Sequence, residues 1–221
     1  FGKHIFKEGS MVIPGGIEFD KSYYSAKINA THLGIDVSIY LNNIISNNNG
    51  KGTRVRGQNS GIVATIKNFI LPPAEGVDEI TIFLKYNQSG TDGESVAFPN
   101  GEVLVLEEPL TYGNTTLATE ETVLTLTAEN ATATGSAFGV NKGVYFLRGL
   151  FVDVPTSLIV LEPYSNQPSY RVGFEIIEEI INANDDSSLY DNAKGFTNFA
   201  APGADRFKIT CKLSKKALQD F

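Results

Sequence analysis

Two histidines and one cysteine make up the whole stock of imidazole and thiol in this chain of 221 residues. Nucleophilic catalysis needs a serine or cysteine beside a histidine that is itself oriented. His4 precedes Ile5 and Phe6, and His32 stands just ahead of an apolar alternation. No Gly-x-Ser-x-Gly elbow surrounds any serine; the run Gly135-Ser136-Ala137-Phe138-Gly139 has the wrong spacing. Cys211 falls on the apolar side of an alternating run whose lysines point the other way. That is the setting of a small core hydrophobe, whereas a reactive thiolate wants a cationic, exposed place.

Metal and phosphate chemistry fare no better. Asn182, Asn184 and Asp186 are spaced like the start of a calcium loop. Ser187 then stands where glycine makes the sharp turn, and Ala193 where a bidentate glutamate belongs. Gly50-Lys51-Gly52-Thr53 lacks the upstream glycine of a phosphate-binding loop and reads as a turn. Asn29, Asn87, Asn114 and Asn130 open glycosylation sequons, as chance allows in an Asn- and Thr-rich chain. A carboxylate pair across a cleft would serve a glycan hydrolase, and Asp92, Glu94 and Glu102 are the residues to watch for it. Glu175, Glu178 and Glu179 read as the solvated side of an amphipathic element. The expectation is a protein that is not an enzyme, with no catalytic, cofactor-binding or metal-binding residues and no cofactor.

Charge points away from nucleic acid. Lys and Arg number 18 against 25 Asp and Glu, a net charge of −7, and a polyanionic backbone is repelled by such a surface. Lys215 and Lys216 are only a pair. No stretch reaches the ~18 uninterrupted apolar residues of a membrane helix, so no membrane partner is expected either. A lone cysteine forms no intrachain disulfide and fits a reducing compartment. The sequence opens on Phe1 and ends on what looks like a new element, so both ends read as cut from a longer chain.

The elements that must carry any function are mostly strands. Hydrophobic residues make up 42% of the chain and glycine 21 positions, which suits short strands and tight turns over one real core. Gly9 to Gly15 frames an apolar strand, and Gly143 to Gly149 repeats that frame, so the two are expected in one parent sheet. Between them, 29–110 reads as an inserted small β domain. Ile35, Val37 and Ile39 alternate with polar residues there, and Asn47 to Gly52 is a turn. Ile80, Ile82, Leu84 and Tyr86 share one face opposite Thr81, Phe83 and Lys85. The Asn100-Gly101 turn lies between Val96–Phe98 and Val103–Leu106. Residues 111–140 read as a Thr/Ala/Gly-rich connection holding one strand at 123–127. The parent domain, 1–28 and 141–221, bends at Gly149 and closes with a strand from Arg206 to Leu213. Its spacing of Val172, Ile176, Ile177, Ile180 and Ile181 predicts a helix over 170–181. The expected fold class is mainly β with one amphipathic helix: an antiparallel sheet domain with an inserted small β-barrel or sandwich.

Three runs resemble a known family: Gly143 to Val152, Pro163 to Phe174, and Asp191 to Arg206, with a weaker likeness over Phe1 to Ser10. They are similar to the large virion structural proteins of T4-like tailed phages, notably marine cyanobacterial ones, of baseplate-wedge or tail-fibre-attachment type, with a conserved domain of unknown function. The likeness covers about 1–28 and 141–216; the stretch 29–140 matches in style alone. It implies a virion protein assembled in the host cytoplasm, partnered by other tail or baseplate proteins. It also implies a homo-oligomer, trimeric assembly being common in such tail parts. In the physical reading of these runs, Pro202-Gly203 turns the chain into the last strand and Asp205 pairs with Arg206. Arg171 reaches Asp185 or Asp186, and Tyr164 and Tyr170 set their hydroxyls at the core edge. The alternative is a carbohydrate-binding module of a phage adhesin, with Tyr23, Tyr24, Tyr86 and Tyr112 as its aromatic candidates.

Overall fold

The computed structural model describes residues 2–29, 36–73 and 77–220; His32, weighed above for catalysis, and Ile35, the first residue of the expected alternation, lie outside them. The fold is mainly β, and its strand pairings are antiparallel. In chain order the elements are α1 (Gly2–Ile5), β1 (Met11–Ile13), β2 (Ile17–Asn29), α2 (Val37–Gly50), β3 (Arg54–Gly57), β4 (Val63–Ile70), β5 (Thr81–Gln88) and β6 (Val103–Leu106). There follow β7 (Leu110–Tyr112), β8 (Thr115–Leu117), β9 (Thr122–Leu126), β10 (Thr132–Val140), β11 (Gly143–Leu147) and β12 (Leu150–Val154). The last strands are β13 (Ser157–Glu162), β14 (Tyr170–Ile181) and β15 (Arg206–Ala217). Two compact units divide the chain: a central one of 19–137 and 160–168, and a terminal one of 1–18, 138–159 and 169–221.

The central unit is built on one sheet, ordered β13-β10-β2-β5-β4-β3-β6-β9. β9 pairs again with β2, Ile28 opposite Leu126, so the ladder from β2 to β9 closes into a ring of hydrogen-bonded strands. Alternation decides what fills it. Ile82 and Leu84 point into a core with Val55, Ile66, Leu104 and Leu124, all buried, while Phe83 points the other way and packs with Tyr23 and Val160. That is the facing expected from the sequence. Val96–Phe98, expected as a strand, is not one; Phe98 is buried beneath Tyr86, whose hydroxyl accepts its backbone N–H at 3.1 Å. The stretch 111–140, expected as a connection with one strand at 123–127, holds that strand as β9 and also β8 and all of β10.

The two elements with ambiguous spacing are exchanged. Residues 170–181, expected as a helix, form β14; residues 37–50, expected to begin as a strand, form α2. The isoleucine spacing of 170–181 satisfies a helix, but five of its twelve residues are β-branched, and a partner of equal length is present. Tyr170 to Ile181 pairs without interruption with Ala217 to Arg206, a non-local ladder that the local pattern does not reveal. In α2 the buried residues are Tyr40, Leu41 and Ile44, a helical stripe, and Ile39 is left 61% exposed. Asp36 caps the helix, accepting the Ile39 N–H at 3.1 Å. The helix breaks at Asn47, and Asn48, Asn49, Gly50 and Gly52 take positive φ, as the turn there requires.

In the terminal unit β1, β11 and β12 form a three-stranded sheet, with Met11 opposite Tyr145. The two glycine-framed strands are thus neighbours. Arg148 and Gly149, both at positive φ, form the two-residue turn between β11 and β12. Tyr145, Leu147, Val152 and Val154 make a small core against Phe174, Ile209 and Cys211. Phe146 faces the other way and meets Phe6 at 5.7 Å and Phe151 at 5.5 Å between ring centroids.

Candidate interaction surface

β14 and β15 form a sheet of their own, twelve residues long on each side. At about 3.4 Å per residue the ribbon runs roughly 40 Å. Its register fixes two faces. Phe174, Ile176 and Ile180 share one face with Phe207, Cys211 and Leu213. Near its base that face is covered by the small core, and Leu213 is buried; towards the loop 182–205 it opens, leaving Ile176, Ile180 and Phe207 exposed. Phe196 and Phe199 of that loop are exposed too.

The opposite face sets the half-buried Ile177 and Ile181 among charged residues, with its glutamates on β14 and most of its basic residues on β15. β15 contributes Arg206, Lys208, Lys212 and Lys216; β14 contributes Glu175, Glu179 and Arg171. Glu175 stands across from Lys212, and Glu179 Oε2 lies 3.9 Å from Lys208 Nζ. Between the longer side chains Gly173 faces Ser214, and a cleft of about 260 Å³ opens beside Arg171, Glu175 and Lys216. On the apolar face Glu178 is tied to Arg148, Nε to Oε1 at 2.6 Å. That tie holds the ribbon to the β11–β12 turn. This placing of charge is readable only once 170–181 is a strand; as a helix its glutamates pass for a solvated face.

The residues considered for chemistry are scattered, and most serve local structure. Asp92 Oδ1 accepts the backbone N–H groups of Glu94 and Ser95 at 3.0 and 2.9 Å, and the Ser95 hydroxyl, which donates to Oδ2, together with these bonds holds its pKa below the usual carboxylate range. Glu94 is exposed. Glu102 is buried, 2% exposed, and its Oε1 accepts the Asn59 N–H at 2.8 Å. Its Oε2 is the one buried side-chain polar atom without a protein partner among the described residues. Asn182 Oδ1 and Asp186 Oδ1 accept the N–H groups of Asn184 and Ser188, each as a turn builder. Asp185 closes on the Asn182 N–H at 3.1 Å and Arg171 stands at the far end of the ribbon, so the expected Arg171–Asp185/Asp186 pair does not form. Arg206 donates to the Ala204 carbonyl rather than to the Asp205 carboxylate. His4 is exposed on α1, and Cys211 sits against the small core, where burial pushes its thiol pKa up.

The tyrosine candidates pack inward. Tyr23 stacks on Phe83 at 5.0 Å, Tyr24 meets Tyr86 edge-on at 4.9 Å, and Tyr112 meets Tyr40 at 5.3 Å. Tyr164 does reach the core edge. Its hydroxyl lies 2.9 Å from Thr81 Oγ1 and 3.1 Å from Asp78 Oδ1, while Lys27 Nζ sits 4.9 Å above its ring and 2.9 Å from Asp78. This network fastens the segment 160–168 to β2 and β5. Among the described residues no group of three or more His, Cys, Asp or Glu could hold a metal ion, and no helix is long and apolar enough to cross a membrane. No protein family matches the chain, and neither a curated protein nor a solved structure does.

Proposed function

We propose that the chain is a structural module of a tailed-phage virion, of baseplate or tail type, that works by rigid packing and by contact with neighbouring subunits. One observation carries the part about contact: the terminal unit leaves Ile176, Ile180 and Phe207 open on one face of a strand ribbon. Large apolar groups gathered on one exposed face mark interaction surfaces in soluble proteins. The virion assignment is supported by the sequence likeness of 143–152, 163–174 and 191–206. The central unit contributes rigidity through its buried core and the Lys27–Asp78–Tyr164 fastening.

A density map of the intact particle that carries the chain tests the reading. The chain is expected as an ordered, stoichiometric part of the tail or baseplate, with the ribbon covered by a neighbour. Its absence from the particle, or turnover of host envelope polymers by the purified chain, overturns the proposal.

A further inference from the structure

Two Asn-Gly pairs lie in the central unit, Asn49-Gly50 beyond the break in α2 and Asn100-Gly101 between Phe98 and β6. Such a pair has one reaction open to it without a catalyst. The backbone nitrogen of the glycine attacks the asparagine Cγ, ammonia leaves, and a five-membered succinimide closes. Water then opens the ring at either carbonyl, giving aspartate or its β-linked isomer, isoaspartate. Glycine favours the attack because it has no Cβ to crowd the ring. Gly50 and Gly101 both have positive φ, and nothing stands within 4 Å of either Cβ position, so crowding does not separate the two pairs.

Hydrogen bonds do separate them. Asn100 Oδ1 accepts the Ala131 N–H at 2.9 Å, and the Gly101 N–H donates to the Thr127 carbonyl at 2.7 Å. The carboxamide and the attacking nitrogen are thus both engaged. Turning Asn100 towards Gly101 would also strand the N–H of Ala131, a residue only 1% exposed. The run of asparagines after α2 differs. Asn47 Nδ2 donates to the Pro109 carbonyl and Asn48 Nδ2 to Glu108 Oε1. The carboxamide of the exposed Asn49 has no hydrogen-bond partner among the described residues, so its rotation breaks no bond.

We propose that Asn49 is a self-modification site of the folded chain, converting to aspartate and isoaspartate through a succinimide with Gly50, while Asn100 is spared. The bond from Asn49 Cγ to its amide nitrogen breaks as the bond from Cγ to the Gly50 nitrogen forms. The Gly50 amide proton leaves with the ammonia, and water supplies the oxygen of the new carboxylate. The product puts a negative charge one residue from Asn48, whose carboxamide holds Glu108. Glu108 Oε1 also accepts the Arg54 N–H at 3.1 Å, so like charge arises beside the carboxylate that ties the end of α2 to β3. The isoaspartyl form also lengthens the main chain inside the turn that the Gly52 N–H closes on the Asn47 carbonyl at 3.2 Å. The site is a slow, one-way change of charge and length at that turn, and it does not rest on the structural-module reading.

Incubation of the folded chain at neutral pH in heavy-oxygen water, followed by peptide mass spectrometry, tests this. Asn49 is expected to take up heavy oxygen about tenfold faster than Asn100, because the hydrogen bonds at Asn100 must break before the ring closes. In urea that unfolds the chain the two rates should converge, which assigns the difference to the fold rather than to the neighbouring sequence. Equal rates in the folded chain, or faster conversion at Asn100, overturns the proposal. So does an Asn49 that stays intact in the folded chain over a period in which the unfolded chain converts. The particle map is a separate measurement, so failure here leaves the structural reading as it stands.

Discussion

Ile180 stands directly opposite Phe207 at the loop end of the β14–β15 ribbon, and the two are 64% and 49% exposed. A cross-strand pair of this kind contributes about 0.2–1 kcal/mol to its own sheet. The double substitution Ile180→Ser, Phe207→Ser is therefore expected to lower stability by no more than about 1 kcal/mol in urea unfolding. Its incorporation into the particle should fall clearly, as the subunit content of purified particles shows. Leu213, on the same face but buried at the base, behaves in the opposite way: Leu213→Ala costs about 2–5 kcal/mol.

The helix makes a second contrast. Leu41 is fully buried in the central core and Ile39, two residues earlier, is mostly exposed. Leu41→Ala should cost about 2–5 kcal/mol, whereas Ile39→Ala should stay within about 0.5 kcal/mol. Were 35–39 an inward-facing strand, Ile39→Ala would carry the larger loss. Denaturant midpoints of the two variants decide between these.

What the sequence made legible follows from these two elements. Alternation predicted the facing of 80–86 correctly because both faces of that strand meet different cores, and the Asn/Gly turn at 47–52 because few residues accept positive φ. The glycine frames placed β1 and β11 in one sheet, where the structure shows them paired. Two things escaped. Isoleucines at 176, 177, 180 and 181 form a helical stripe but divide between the two faces of a strand, and only the distant partner 206–217 settles the matter. Val37 and Ile39 alternate over too short a window to outweigh the stripe at 40, 41 and 44. The interaction surface escaped with the first of these, since its open face exists only on paired strands.

Glu102 holds the β3–β4 turn from beneath, through the Asn59 N–H at 2.8 Å and the Ser60 N–H at 3.5 Å. Removing the carboxylate leaves a backbone donor without its acceptor. Glu102→Ala is expected to cost about 1–3 kcal/mol. Hydrogen exchange should show the amide of Asn59 losing protection first, which separates loss of this bond from a general loosening of the core.

The Lys27–Asp78 pair gives a pH dependence with two limbs. The hydrogen bond from Lys27 holds the Asp78 pKa below its ordinary value. Its contribution is present above the unfolded carboxylate pKa of about 4 and is lost as pH falls through the folded value. The hydrogen bond to Asp78 raises the Lys27 pKa. That contribution is present below the unfolded lysine pKa of about 10.4 and is lost as pH rises through the folded value. Asp78→Asn should flatten both limbs of a plot of melting temperature against pH. An unchanged acid limb would mean that other carboxylates set it. The pair is exposed on the aspartate side, so the effect is a change of shape rather than of overall stability.

Beside β1 and β11 it is the close approach of backbone that requires glycine. A Cβ on Gly15 would lie 2.3 Å from the Asn141 carbonyl oxygen, and one on Gly143 2.9 Å from the Ile13 carbonyl oxygen. Both contacts are with backbone, which cannot swing aside as a side chain does. Gly15→Ala must therefore shift the chain beside Asn141, whose N–H donates to the Gly16 carbonyl at 2.8 Å. A cost of about 1–3 kcal/mol is expected from such overpacking. Gly173 is the control. It lies within β14, yet nothing stands within 4 Å of its Cβ position. Gly173→Ala should be neutral or stabilising by up to about 1 kcal/mol, since alanine loses less backbone freedom on folding. Thermal melting of both variants reads the difference. Equal destabilisation by the two would show that glycine in this chain answers to backbone conformation rather than to the close approach of β1 and β11.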